Sequence, residues 1–337
     1  MSIMIIAEAG SNHNGSMKRA KDLVMAAAQI GASSIKFQFI FADGLYLPKY
    51  LDDDKYIINS VYDIRKSEEL AKNQWSEIWS EANDNNIDIS ASVFCSQGVK
   101  LLSFLGANFV KISSTDLTNI RLIEEACDNF DTVIISTGMS SIDEIYKTVN
   151  FISGQYNKTN LKLMHCVSVY PCDLKESNIS RIKVLKDYFG LEVGYSDHTE
   201  TEISAVLALM SGASFFEKHF TTNKNLSGFD HKYALDPNEF KKYIDVDVDL
   251  VKDEITNTII LAQACRHAIV HDGSILNSKV IRQVSNANPR MIKEELAEGK
   301  GVEFDIDEIR TIGKCMEAYM ARLCEKIDSN ILTKVKI

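Results

Sequence analysis

Residues 194–231 read GYSDHTETEISAVLALMSGASFFEKHFTTNKNLSGFDH, and this stretch decides the fold. A short apolar run precedes each of two histidines: LEVGYSDH ends on His198 and ASFFEKH ends on His219. Between them, SAVLALMSGA is small and apolar enough for a packed helix. The pattern is strand, helix, strand, with one imidazole just beyond each strand. Parallel neighbouring strands bring such ends together. Asp230 and His231 follow on a glycine-containing loop. Two imidazoles, a nearby carboxylate and room for water suit a borderline divalent cation with open positions. The plainer reading is two unrelated histidines, each held by its own hydrogen bond.

Working outward, six further stretches join the two strands of this unit. IMIIAEA (3–9), SSIKFQF (33–39), IDISASV (87–93), NFVKI (108–112), TVIIS (132–136) and LKLMHC (161–166) read as buried strands, joined by LEVGY (191–195) and SFFEKH (214–219). Helical periodicity fills 16–30, 74–86, 97–105, 118–128, 140–152 and 178–188. Ser16 suits an N-cap, and Pro237 suits the first position of a later helix. Trp75 and Trp79, four apart on one helix, read as core anchors. Residues 40–73, rich in Asp, Tyr and Lys, form an insertion long enough to be a functional lid. Eight βα units in about 250 residues predict a (β/α)8 TIM barrel. A doubly wound open sheet is the alternative, but it usually carries GxGxxG after its first strand. GSNHNG (10–15) is not that motif. The expected division is a barrel domain over 1–265 and a small atypical C-terminal segment over 266–337.

Composition narrows the function. The chain has 337 residues, 45% of them hydrophobic, so a full core is within reach. Its net charge of −10 argues against nucleic acid or an anionic membrane as partner. Seven scattered cysteines without a CxxC pair fit reduced thiols in a cytoplasm. No apolar run approaches a membrane span, and MSIMIIAEAG reads as a first buried strand rather than a signal peptide.

Polar residues gather at one end of the expected barrel. Glu8, Lys36, Gln38, Ser92, Lys111, Ser114, Asp116, Ser136, His165, Ser168, Tyr170, Ser196, His198 and His219 all fall at or just past a strand's C-terminal end. That face carries catalysis in this fold. Each residue has a bland reading alone, Lys36 as a rim lysine and Ser136 as part of a turn. Two lysines and several hydroxyls at one mouth make an anion site, most naturally for phosphate.

With these motifs in hand, the sequence resembles the sialic acid synthase family, the phosphoenolpyruvate-dependent N-acetylneuraminate synthases and their relatives. The matching segments are IIAEAGSNHNG ending at Gly15, IKFQ (35–38), KISSTDLTN (111–119), ISTGMSSIDEI (135–145), HCVSVYP (165–171), GYSDHT (194–199), EKHFT (217–221) and GFDHKYALDP (228–237). They run in the family's order over roughly residues 1–245. The resemblance implies His198 and His219 as ligands of a divalent metal, Mn2+ first, with Mg2+ or Co2+ possible in its place. It implies Lys36, Ser92, Lys111, Ser114, Ser136, Ser168 and Ser196 as the phosphoenolpyruvate cradle. Gln38, Tyr170 and Asp230 fall on the sugar side, and Glu8, Asp116 and Asp230 become the candidate catalytic carboxylates. Asp116 stands where many members have Glu, and Ser168 where some have Asn.

The implied reaction joins phosphoenolpyruvate to the aldehyde of an N-acylated mannose-type sugar, giving a nine-carbon 2-keto sugar acid and phosphate. N-acetylmannosamine, its 6-phosphate and a 2,4-diacetamido-trideoxy sugar all stay open. The family also implies a homodimer with an antifreeze-like C-terminal domain. Here only CRHAIVHDGSIL (265–276) and NPR (288–290) stand where that domain's arginine motifs belong, so a degenerate or replaced domain is expected. Residues 305–328 read as an amphipathic helix, with Ile309, Ile312, Met316, Met320 and Leu323 as its buried stripe. Two competing readings are a Schiff-base pyruvate aldolase using Lys36, Lys111 or Lys218, and a non-catalytic sugar-binding barrel.

Overall fold

The structure, a computed structural model, describes residues 3–250, 254–271, 275–276, 278–284, 287, 290–292 and 297–334. In chain order the strands are β1 (Met4–Gly10), β2 (Ser34–Phe39), β3 (Lys49–Asp52), β4 (Lys55–Ile58), β5 (Asp88–Val93), β6 (Val110–Ile112), β7 (Thr132–Ser136), β8 (Asn160–His165), β9 (Glu192–Asp197) and β10 (Phe215–His219). All but β3 and β4 close one parallel barrel, in the order β1-β10-β9-β8-β7-β6-β5-β2, with β2 returning to β1. Closure confirms the (β/α)8 barrel and excludes the open sheet. Local chemistry starts the helices between the strands. Ser16 accepts the Arg19 amide, Asn119 accepts the Leu122 amide, and Ser141 forms a reciprocal capping box with Glu144.

Side chains alternate along each strand, so every second residue enters the barrel. At the bottom, Ile6, Phe109, Ile134, Met164 and Phe215 pack into an apolar plug. Gly194 is needed there: a Cβ on it would lie 2.3 Å from the Phe215 ring. Two residues further along the same strands the interior turns polar, with Glu8, Lys111, Ser136, Cys166, Ser196 and Glu217. The outward-facing residues build the larger core with the helices, including Trp75 and Trp79 at 3% and 6% exposure.

The 40–73 insertion is more ordered than a loop. It holds a short helix, Ala42–Leu45, the antiparallel β3–β4 hairpin and a helix, Ser60–Glu68. Asp53 and Asp54 both take positive φ, 42° and 59°, which matches the turn type whose twist suits a two-residue hairpin. Every residue of β3 and β4 is exposed.

By contacts the chain divides into two units, Met1–Ile244 and Asp245–Ile337, a break ahead of the expected 265/266. In the second unit, Leu261, Cys265, Leu276, Val280, Val284, Ile292 and Val302 form a separate core. The expected long helix is present as Ile306–Lys334. Its buried stripe differs from the sequence reading. Ile309 and Met316 are 57% and 42% exposed, whereas Cys315 and Tyr319 are buried and Ile312 packs on the core. The side chains of Met320 and Leu323 lie outside the described residues. Among the described residues, no helix is long and apolar enough to cross a membrane.

Candidate active site

The polar end of the barrel opens into a cavity of about 500 Å3. Its floor is a chain of alternating charge. Glu8 of β1 pairs with Lys36 of β2, Lys36 lies 3.3 Å from Glu217 of β10, and Glu217 pairs with Lys111 of β6. All four are buried. Hydroxyls and an amide complete the floor. Lys36 donates to Ser92 Oγ at 2.7 Å, Ser196 Oγ donates to Glu217 at 2.7 Å, and Gln38 Nε2 donates to Glu8 at 3.0 Å.

Burial pushes the Glu8 carboxyl up to about 7; Lys36 opposes that rise and Glu217 adds to it. Burial would raise Glu217 too. Lys111 and Lys36 overcome it, with hydrogen bonds from Lys111 and Ser196, and hold that carboxyl below its usual range. Burial would lower Lys36, but Glu217 and Glu8 outweigh it and keep the ammonium charged.

Beside the charged floor sits a cup of small polar groups. Ser114 Oγ accepts the Gly138 amide at 3.1 Å and lies 3.2 Å from Cys166 Sγ, and Ser168 closes the cup. A side chain at Gly138 would fill it, since a Cβ there would stand 2.7–2.8 Å from Ser168, Cys166 and Ser114. Ser136 Oγ is buried in the same wall without a hydrogen-bond partner. Such a cup, next to two lysines, suits a phosphate.

The histidine pair stands at the rim, ring centres 5.7 Å apart. His198 Nδ1 is 2.6 Å from the Val167 carbonyl, so its proton sits there and the unprotonated Nε2 keeps its lone pair, 3.0 Å from Ser196 Oγ. Burial and the neighbouring His219 lower His198 to about 3, and burial lowers His219. Both rings are therefore neutral at physiological pH, the form that ligates metals. His219 Nδ1 is buried without a hydrogen-bond partner, 3.7 Å from Asp230. Among the described residues no set of three or more His, Cys, Asp or Glu is arranged around one point. The donor set fits a divalent cation that takes its other ligands from water or substrate. Tyr170 lies over both rings, 4.1 Å from His198 and 5.4 Å from His219.

Most of the residues expected at the site meet in this cavity: Glu8, Lys36, Gln38, Ser92, Lys111, Ser114, Ser136, Ser168, Tyr170, Ser196, His198 and His219 all line it. Asp230 stands behind His219, where the Tyr233 hydroxyl donates to it. Asp116 is not brought in. Its carboxylate accepts from Ser113, Thr115 and Asn119 and holds its own turn together. His165 turns away from the cavity to Ser177 and Tyr195. Lys218 also points away, paired with Asp197 at 3.2 Å. Glu217 and Cys166 line the cavity's floor and cup and are not among the residues singled out from the sequence, nor are Tyr46, Ser113 and Thr115 at its mouth. Glu217 is two residues before His219, so strand alternation already placed both on one face.

The sequence model of the NeuB family matches residues 23–253. The chain is 36% identical over 253 residues to N,N'-diacetyllegionaminic acid synthase of Legionella pneumophila, covering 72% of this chain and 71% of that one. It is 28% identical over 326 residues to pseudaminic acid synthase of Campylobacter jejuni, covering 90% and 94%. Its structure matches N-acetylneuraminic acid (sialic acid) synthetase of Leptospira borgpetersenii, solved with citrate, at TM-score 0.66 and 31% identity over 73% and 82% of the two chains. Together with the closed barrel and its polar mouth, these likenesses show that the chain belongs to the NeuB family, the sialic acid synthases and their relatives.

Proposed function

We propose that the chain condenses phosphoenolpyruvate with an N-acylated mannose-type aldose to give a nine-carbon 2-keto sugar acid and phosphate. The carrying observation is the buried Glu8–Lys36–Glu217–Lys111 chain beside an open serine cup, with neutral His198 and His219 at its edge. Lys36, Lys111 and the hydroxyls of Ser92, Ser114, Ser136, Ser168 and Ser196 hold the phosphate and carboxylate and fix the enol. Carbon 3 of the enol forms the new bond to the sugar aldehyde carbon, using the enol π electrons. Water adds at carbon 2, and the carbon–oxygen bond to phosphate then breaks. A divalent cation on His198 and His219, Mn2+ first, supplies Lewis-acid polarisation of the aldehyde oxygen when bound. Glu8, pushed up to about 7 by burial, is the carboxyl able to give a proton to the new alkoxide at neutral pH. Gln38, Tyr170 and Asp230 orient the sugar.

The relatives' names differ in the sugar they make, and the same spread applies to the substrate here. A Schiff-base aldolase fits less well: Lys36 and Lys111 are tied to buried carboxylates, and Lys218 faces away. A free, neutral amine is what that chemistry needs. A cytoplasmic homodimer belongs to the same proposal. Phosphate release from phosphoenolpyruvate with Mn2+, over a panel of N-acylated mannose-type sugars, tests the reaction. Light scattering on the full chain tests the dimer.

A further inference from the structure

The lid helix Ser60–Glu68 has one buried residue, and it is an arginine. Arg65 is 8% exposed, on a helix that buries none of its apolar side chains. A buried guanidinium is costly unless its charge is paired. Arg65 has that pairing on one side of its fork, while its Nε is buried without a hydrogen-bond partner. Arg65 Nη1 donates to Ser11 Oγ at 2.8 Å and to Glu68 Oε2 at 3.0 Å. Its guanidinium carbon also stands 3.9 Å from the centre of the Phe229 ring. Ser11 and Phe229 lie on different loops, one after β1 and one after β10. Each is the direct chain neighbour of a residue at the edge of the site. Ser11 follows Gly10, and Phe229 precedes Asp230. Gly10 and Asp230 are pressed together. Gly10 has φ +53°, and a Cβ on it would lie 2.8 Å from Asp230 Oδ2.

We propose that Arg65 is a positioning residue. It clamps the lid helix onto both walls of the Gly10–Asp230 contact and so sets where the Asp230 carboxylate stands beside His219 and Tyr233. A flat, charged fork suits this task, because it can stack on Phe229 while donating sideways to Ser11. That Asp230 faces the sugar rests on the reading above; the clamp itself rests only on these contacts.

Hydrogen exchange on the full chain, with no ligand, tests the clamp. Arg65→Gln is expected to speed amide exchange about tenfold both in the lid helix, 60–68, and in the loop 227–233, the scale of losing one charge-assisted contact. Arg65→Lys, which keeps the charge but not the flat fork, recovers only part of the protection. Faster exchange confined to 60–68 overturns the proposal, because a merely structural arginine would loosen its own helix alone. If Arg65→Gln does not fold, Phe229→Leu carries the test: it is expected to loosen 60–68, and unchanged exchange there overturns the clamp. In steady-state assays Arg65→Gln is expected to raise the sugar KM about tenfold and leave the phosphoenolpyruvate KM within about twofold; equal changes in both contradict a sugar-side role. A wild-type chain that turns over no sugar refutes the proposed reaction and leaves the exchange result to decide the clamp.

Discussion

Lys36 Nζ and Glu217 Oε2 stand 3.3 Å apart inside the barrel, their side chains 1% and 3% exposed, although β2 and β10 are separated by β1. They are the middle pair of the four-membered charge chain that runs from Glu8 to Lys111. Because every link is buried, changing one member leaves an opposite charge without its counterpart.

Glu217→Gln is therefore expected to cost about 3–5 kcal/mol of stability, the range for breaking a buried ion pair from one side. The double change Lys36→Met with Glu8→Gln is expected to cost less than the sum of its parts, since it removes a cation and an anion together. Chemical unfolding of Glu217→Gln and of the four proteins of the Lys36/Glu8 cycle measures both; additive costs in the cycle would contradict the charge chain.

The lysines should matter to phosphoenolpyruvate more than to the sugar. Lys36→Met and Lys111→Met are each expected to raise the phosphoenolpyruvate KM tenfold to a hundredfold, corresponding to about 1.5–3 kcal/mol for a charge-assisted contact. An unchanged value in both variants refutes the anion site.

Removing either rim imidazole should abolish cation binding. Calorimetric titration with Mn2+ is expected to show one site in the wild-type chain and none in His198→Ala or His219→Ala, with the barrel's circular dichroism unchanged. Full turnover by EDTA-treated enzyme contradicts the assignment.

His13 gives a pH dependence of stability away from the reaction. Burial, with Arg65 nearby, lowers it to about 4, and its Nδ1 accepts the Gly15 amide at 3.1 Å. In the unfolded chain the ring titrates near 6.5, so between pH 6.5 and 4 the unfolded state binds the extra proton. Its contribution is fully present above pH 6.5 and is lost as pH falls towards 4, by about 3 kcal/mol at the lower end. His13→Leu should flatten that part of the stability profile; an unchanged slope would show that the proton goes elsewhere.

Gly194→Ala should crowd the plug at the barrel bottom, because its new methyl would meet the Phe215 ring. Overpacking of this kind costs about 1–3 kcal/mol or more. Phe215→Leu in the same chain should restore part of it. A neutral Gly194→Ala would show that the plug yields freely.

Much of this was legible in the sequence because a barrel repeats one simple rule. Buried parallel strands read as apolar runs, and chemistry collects where those runs end, so the sequence alone puts Lys36, Lys111, Ser196, His198 and His219 at the mouth. Glu217 was hidden by its company: beside His219 the eye goes to the imidazole, and only the alternation along β10 reveals the carboxylate. Asp116 was misleading for the opposite reason. A carboxylate near a strand end also serves a tight turn, and here three local donors claim it. The insertion was recognised by length, but its hairpin depended on two positive-φ aspartates and its docking on Arg65, which no periodicity announces. On the last helix the choice of 312, 315 and 319 over 309 and 316 reflects the packing surface offered to it, and that surface is not written in the helix itself.

The most direct test is to incubate the Mn2+-loaded full chain with phosphoenolpyruvate and an N-acylated mannose-type sugar in 18O-labelled water, and to follow both products. The account predicts phosphate release only when sugar is present, one phosphate per nine-carbon 2-keto acid, with the label in the sugar acid and none in the phosphate. Sugar-independent phosphate, label in the phosphate, or a lysine trapped by borohydride with pyruvate would contradict it.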